Sequence, residues 1–344
     1  MGVLSILGTG GYVLPTTDNE SVLRYLRAPK TAAWFEAKTG VQGHSLNFDC
    51  SLGQKRSSEH VLDYAEHAAG LAIERAGVSA QQIDQLYLAT CTPAYPHFMA
   101  DAIELHRRLG LRSTVVINQV DGACAALAKA MQDVQAYAQH RSEWRALIVA
   151  ANDVSSFFLS ARDRYERVPG AWLSPALFAD GAGALLLGPN HGPRLTDVYC
   201  AVDGEHPLVV CWGGGAAVPT TPETLDAHVY LIDGRDVGAQ FAPAMQRVWG
   251  HFSQQWGLKI EDVRRWYLHQ ANLRLVEGFG QALGIPMERL PHNVDRIGNT
   301  VSASTLLLLD EDVRAGRFPT DGPSLFLWIG AGMMEGGALF LPAS

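Results

Sequence analysis

The sequence predicts an α/β fold made of two similar halves, and three observations predict it. GVSAQQIDQLYLAT (77–90) and GLKIEDVRRWYLHQ (257–270) align without gaps at an offset of 180 residues, matching Gly77 with Gly257, Ile83 with Val263, Tyr87 with Tyr267 and Leu88 with Leu268. The same offset carries the apolar run ALIVAAN (146–152) onto FLWIGAG (326–332), and Cys124 onto Ser304 in the loop NTVSAST. In both halves strand-like apolar runs alternate with helical stretches, the pattern of mostly parallel sheets covered by helices.

The elements follow in order. MGVLSILGTGGYVLP reads as a first core strand: its apolar run is short, breaks to glycine and lacks the basic segment of a leader. Ile6 also stands where a myristoylation signal needs Ser or Thr. Each repeat copy is a helix stopped by glycine, a polar turn and a buried strand. VVINQVDGA (115–123) is a strand running into the alanine-rich helical pattern that holds Cys124. PNHGPR (189–194) is a connector, so the halves are 1–188 and 189–344. The Gly-, Pro- and Thr-rich tract 203–224 reads as irregular chain that caps or lines a cleft.

Composition narrows the class. The chain has 344 residues, 47% of them hydrophobic and 18% charged, enough for one large or two ordinary domains. A net charge of −8 without a long Lys/Arg run argues against nucleic acid or an anionic membrane as main partner. No run reaches the apolar length of a membrane span. Cysteines stand at 50, 91, 124, 200 and 211, odd in number and never as CxxC. That usage predicts a reduced, cytoplasmic chain with neither a disulfide framework nor a zinc site.

In sheets of this kind functional side chains gather at the carboxyl ends of strands. Cys124, His269 and Asn299 all fall at such ends, and a pseudo-twofold axis would let them meet. Singly each is weak: such a cysteine is usually core, such a histidine inert, and an asparagine after glycine a turn residue. Together they supply a nucleophile, an imidazole and a neutral amide donor. A helix N-terminus at Cys124 predicts a lowered thiol pKa. Gly122, Ala123, Ala125 and Ala126 leave room for a substrate carbonyl. The Cys124 N–H and an N–H of GAGMMEGG (330–337) would hold an oxyanion.

These residues carry a resemblance. LGTGGYVLP, WFEAKTGV (34–41), Cys124 in its small-residue loop, FADGAGALLL (178–187), HQANLRL (269–275), GNTVSAS (298–304) and GAGMMEGGALF resemble the β-ketoacyl-acyl carrier protein synthase III family along nearly the whole chain. The resemblance implies a thiolase-like fold of duplicated α-β-α-β-α layers with pseudo-twofold symmetry. It implies that Cys124 takes an acyl group from a thioester and that a malonyl-type thioester, on coenzyme A or an acyl carrier protein, then loses carbon dioxide. His269 and Asn299 would hold the resulting enolate, and the amides of Cys124 and Ala331 would form the other oxyanion hole. By the same resemblance Trp34, Lys38, Phe178, Asn272 and Arg274 bind substrate along a pantetheine tunnel. It further implies a homodimer whose Phe98, in CTPAYPHFMADA (91–102), approaches the other subunit's tunnel. No cofactor and no metal are implied.

The chain departs from the family pattern at its docking positions. Lys38, with Gln42 and His44 after it, stands where arginines are usual, and Trp172 stands near another expected arginine. Ala239, Gln281 and Ala282 replace basic residues that face a carrier protein, leaving Arg274. CAAL replaces CAGF, and Glu335 replaces an aromatic residue. These changes point to a specialised, secondary-metabolic relative. Two alternatives stay open: acyl transfer to a hydroxyl or amine without decarboxylation, and a non-catalytic partner in a heterodimer. Thiolase is disfavoured because 330–337 holds no second cysteine. Hydroxymethylglutaryl synthase, plant-type polyketide synthase and papain-like hydrolase lack their own signatures. Asp180 reads as a structural acid ordering the loop before a strand.

Overall fold

A computed structural model describes residues 4–157 and 159–343. Nine strands make the main sheet: β1 Ser5–Tyr12, β2 Gln85–Ala89, β3 Val116–Val120, β4 Ala146–Asn152, β5 Gly181–Gly188, β6 Arg194–Val202, β7 Arg265–Leu268, β8 Ser324–Gly330 and β9 Met334–Leu341. β1 and β6 touch through one residue pair, Ser5 with Arg194. The sheet is therefore two sheets joined at a point, one of order β1-β5-β4-β2-β3 and one of order β6-β9-β8-β7. β1, β5, β4 and β2 correspond to β6, β9, β8 and β7, with the same directions at each step. Among the described residues β3 has no counterpart strand.

Period-two alternation splits the core into layers. Leu86 and Leu88 of β2, with Leu147, Val149 and Ala151 of β4, face the helices α1 (Val61–Ala76) and α2 (Ala100–Arg108). Tyr87, Ala89, Ile148 and Ala150 face the opposite way, onto α3 (Ala126–Ala138) and α6 (Ser304–Arg314). That central layer is completed by Tyr267, Phe326 and Trp328 of the second sheet. Trp266, Leu268, Leu325, Leu327 and Ile329 point outward to α4 (Gly234–Trp256) and α5 (Leu273–Leu283). The result is five layers, helix, sheet, helix, sheet, helix.

Two expectations need correction. Pairing is mixed, not mostly parallel: β2 pairs in parallel with β3 and β4, and β7 with β8, while the remaining ladders are antiparallel. The return strands β5 and β9 cause this, because each follows its neighbour through a connection that does not cross the sheet. The offset also changes along the chain. β2 and β7 keep 180, but β4 (146–152) matches β8 (324–330), two residues earlier than the offset predicts. The turn after β3 agrees. It opens on Ala123 at φ 44°, its counterpart on Val301 at φ 57°, so Cys124 corresponds to Ser302, not Ser304.

The glycines of LGTGGY have a packing reason. A Cβ on Gly8 or Gly10 would collide with the backbone carbonyls of Ala72 or Ala68, where α1 lies directly on β1. In FADGAGA, a Cβ on Gly183 would meet Leu306 Cβ of α6 at 2.5 Å. Replacing Gly10 by Ala is expected to lower stability by about 1–3 kcal/mol or more, because backbone must move. A reduced urea midpoint at unchanged slope checks this.

Candidate active site

Cys124, His269 and Asn299 line one cavity, together with Phe178, Asn272 and Ala331. Its remaining wall is mostly apolar, from Leu177, Leu208, Val209, Ile232, Val237, Phe241 and Ile329. Cys124 and His269 follow the ends of β3 and β7, whereas Asn299, expected at a strand end, follows the short helix Val294–Ile297 and pairs with Phe178 in an isolated bridge.

The loop after β3 makes one tight turn, Ala123–Ala125, before α3 begins at Ala126. Gly330, at the end of β8, lies against this turn: a Cβ there would sit 2.7 Å from the Ala125 nitrogen and 3.2 Å from that of Cys124. The glycine thus sets Ala331 beside the nucleophile. The sulfur sits in an apolar cluster with Val154, Tyr165, Phe178 and Val301. Burial pushes the Cys124 thiol up to about 12, against a smaller opposing pull from its own backbone N–H. The expected lowering by the helix therefore fails. Desolvation of a thiolate in apolar surroundings outweighs a dipole acting at one helix end.

The HQAN stretch divides its labour. His269 directly follows β7, and its N–H donates to the Leu327 carbonyl at 2.8 Å. Burial lowers its pKa to about 3, so the ring is neutral and donates one N–H only. Its Nδ1 is buried with no hydrogen-bond partner among the described residues. Gln270 points into the protein, its Nε2 donating to the Leu268 carbonyl at 2.9 Å. The Ala271 carbonyl accepts from Asn299 Nδ2 at 3.4 Å. Asn272 caps α5, its Oδ1 accepting from the Leu275 N–H at 3.0 Å.

Asn299 is held on every side. Its N–H donates to the Leu177 carbonyl at 3.2 Å, and its carbonyl accepts from the Ala179 N–H at 2.8 Å. Its Oδ1 accepts from the Val301 N–H at 2.9 Å. This commits the side-chain oxygen and, with one N–H given to the Ala271 carbonyl, leaves the other N–H of the amide for the cavity. The arrangement requires Val301, a β-branched residue, in left-handed backbone, at roughly 1–2 kcal/mol. Gly298 has φ 75°, and a Cβ there would meet Ala179 Cβ at 3.0 Å and His44 Nδ1 at 3.1 Å.

Asp180 is structural. It accepts from the Asn47 N–H at 2.6 Å, from the Ser155 N–H at 2.8 Å and from the Ser155 hydroxyl. Burial, with Asp153 nearby, raises its pKa.

The other expected substrate residues lie outside the cavity. Trp34 and Lys38 line a wide outer cleft with Pro207, Val210, Trp212 and Arg235. Ile232 borders both spaces, so the cleft adjoins the cavity. Arg274 is half-exposed and engaged, with Nη1 on Glu277 at 2.8 Å and Nε donating to the Ala37 carbonyl at 3.3 Å. Phe98 is 93% exposed and borders neither space within its own chain. The tract 203–224, expected to cap or line a cleft, does so through Pro207, Val210 and Trp212 at the outer cleft and Leu208 and Val209 at the cavity. Sequence reasoning missed Arg235, at a helix start, and the remaining apolar walls, which look like ordinary core.

Layering of two duplicated sheets, with a cysteine at the buried end of one half and neutral donors from the other, defines a thiolase-fold ketosynthase architecture. Residues 253–341 match the family model of the 3-oxoacyl-[acyl-carrier-protein (ACP)] synthase III C terminal. The chain is 31% identical to the 3-oxopimeloyl-[acyl-carrier-protein] synthase of Rhodothermus marinus, over 97% of this chain and 92% of that one. It is also 31% identical to the β-ketoacyl-[acyl-carrier-protein] synthase III of Roseiflexus castenholzii, over 87% and 86%. The crystal structure of the priming β-ketosynthase of the R1128 polyketide pathway superposes with a TM-score of 0.82 at 26% identity, covering 99% and 97% of the two chains. The chain belongs to the β-ketoacyl-acyl carrier protein synthase III family.

A neutral thiol with a pKa of about 12 predicts a simple titration of reactivity. Iodoacetamide inactivation should accelerate roughly tenfold per pH unit from pH 7 to 9, following the thiolate fraction. A plateau near pH 7 would show a thiolate already formed.

Proposed function

We propose that the protein loads an acyl group from a thioester onto Cys124 and condenses it with a malonyl-type thioester. In the first half-reaction the sulfur forms a bond to the acyl carbonyl carbon, and the carrier thiol leaves with the thiol proton. In the second, the carbon–carboxylate bond of the malonyl unit breaks, carbon dioxide leaves and an enolate remains. The Asn299 NH2 and the His269 N–H hold the enolate oxygen. Its carbon attacks the acyl-Cys124 carbonyl, whose oxygen lies toward the amides of Cys124 and Ala331. The carbon–sulfur bond then breaks and the sulfur regains a proton.

The observation that carries this reading is one apolar cavity holding a thiol and two neutral donors. Neutral donors in dry surroundings favour an anion that forms during reaction, while a carboxylate would repel it. Simple acyl transfer has no comparable need of the Asn299 amide, which favours condensation.

Lys38 and Arg235 at the outer cleft suit the phosphate of a pantetheine carrier, on coenzyme A or a carrier protein. Relatives named for different products leave room for a specialised substrate and a secondary-metabolic role. The exposed Tyr95, Phe98, Met99 and Ile103, beside the edge strand β3, support a homodimer contact. Five free cysteines suit a reducing cytoplasm. Among the described residues no helix is long and apolar enough to cross a membrane. The reading uses no cofactor or metal.

Intact mass after incubation with acyl thioesters should show one acyl adduct, absent in Cys124→Ala. Asn299→Asp should still load but release carbon dioxide from a malonyl thioester about 10²–10³-fold more slowly, the scale of losing an oxyanion donor. Loading without any carbon dioxide release in the unaltered protein would sink the condensation step.

A further inference from the structure

Asn152, the last residue of β4, is fully buried and borders neither the cavity nor the outer cleft. Its side chain nevertheless uses both ends. Oδ1 accepts from the Cys91 N–H at 3.2 Å and from the Cys91 thiol at 3.3 Å. Nδ2 donates to the Thr300 carbonyl at 3.2 Å and to the Ser302 hydroxyl at 3.1 Å. The Ser302 hydroxyl in turn donates to the Ala89 carbonyl at 3.4 Å, at the end of β2. Reversing the amide would set donor against donor at Cys91 and acceptor against acceptor at Thr300, so only one orientation satisfies the group.

Thr300 and Ser302 flank Val301, the left-handed residue whose N–H fixes Asn299 Oδ1. We propose that Asn152 is a positioning residue for the condensation step: anchored on the first sheet, it holds the 300–302 turn so that Val301 aims the Asn299 amide into the cavity. The proposal rests on the enolate-holding role of Asn299. Several features separate it from ordinary core packing. The contacts span 148 and 150 residues of chain and join the two halves. They fall on either side of one strained residue. A strained turn persists only where its surroundings over-determine it, and Asn152 supplies two of those restraints.

The consequence is selective. Loading of Cys124 uses the nucleophile and the amides of Cys124 and Ala331, which Asn152 does not touch. Decarboxylation uses the Asn299 amide, which it aims. A loss of overall stability would slow both half-reactions together, whereas loss of aim slows only the second.

The test measures two rates on the full-length protein: Cys124 acylation, by intact mass, and carbon dioxide release from a malonyl thioester after loading. Asn152→Ala is expected to slow release about tenfold or more while acylation stays within about twofold. Asn152→Asp keeps the acceptor for Cys91 but loses both donors, and is expected to fall at least as far. Ser302→Ala removes one of the two Asn152 Nδ2 contacts together with the Ser302–Ala89 bond, should fold if Asn152→Ala does not, and should show the same selectivity at smaller size. Equal slowing of both rates, no slowing, or an aspartate variant as fast as the parent would each overturn the proposal. Asn299→Ala is the control. If it leaves release unchanged, the reading of Asn299 fails, whatever Asn152 does.

Discussion

The site depends on a backbone joint between the halves, the two hydrogen bonds by which Asn299 pairs with Leu177 and Ala179. This short parallel bridge, between Phe178 and Asn299, lets the end of one half read the position of the other. Gly298 permits the approach, and Asp180, next along the chain, ties the same segment to Asn47 and Ser155. FADGAGA and GNTVSAS are therefore two sides of one contact. A second contact mirrors it, where Gly330 lies over the nitrogens of Cys124 and Ala125. In each contact a segment of one half rests against a turn of the other, residues 177–179 against Asn299 and Gly330 against the Ala123–Ala125 turn. The cavity is the space between these two contacts.

Once the chain is closed in this way, burial governs the electrostatics. The thiol of Cys124 and the imidazole of His269 are both driven to their neutral forms, one upward and the other downward, by the same loss of water. A thiolate–imidazolium pair is thus disfavoured. Neutral groups suit the enolate-forming step of the proposed condensation, because an imidazolium would stabilise the malonyl carboxylate as well as the enolate. Stabilising both states equally would leave the barrier unchanged. The thiol's high pKa would be the cost of that arrangement in the proposed loading half-reaction.

Much of this was legible in the sequence because it rests on local chemistry. The alternation of Leu86, Tyr87 and Leu88 marks a strand with two buried faces, and the repeat at 257–270 marks its copy. HQAN placed one donor at a strand end and the cysteine stood at another, while GNT, also read as a strand end, follows a short helix. The errors have physical causes. Strand direction depends on how each connection crosses the sheet, which apolar runs do not record. The two-residue change of offset falls between β2 and the Ala123 turn in one half and between β7 and the Val301 turn in the other, where the first half forms β3 and the second the short helix Val294–Ile297. The thiol pKa was misjudged because a helix start is visible in sequence, whereas the cluster of Val154, Tyr165, Phe178 and Val301 around the sulfur is assembled from distant segments. Arg235 was missed for the same reason.

Glu335 shows how a departure from family pattern resolves physically. Its carboxylate is almost wholly buried on β9, two residues beyond the turn that begins with Ala331, and Arg247 of α4 grips it through Nε at 3.1 Å and Nη2 at 2.7 Å. An acid in that position without a cation would be strongly disfavoured, so Glu335 and Arg247 act as a unit. Relative to an aromatic side chain of similar volume, such a pair is close to neutral in stability. Arg247 is also 44% exposed, which weakens the attraction further. What the pair adds is direction. An aromatic ring would pack against α4 in several ways, whereas two converging hydrogen bonds fix one angle. α4 carries Val237 and Phe241 into the cavity wall, and β9 follows the loop that bears Ala331. The pair therefore ties the helix that carries part of the cavity wall to the strand that follows Ala331, and Glu335, which does not line the cavity, is committed to that contact.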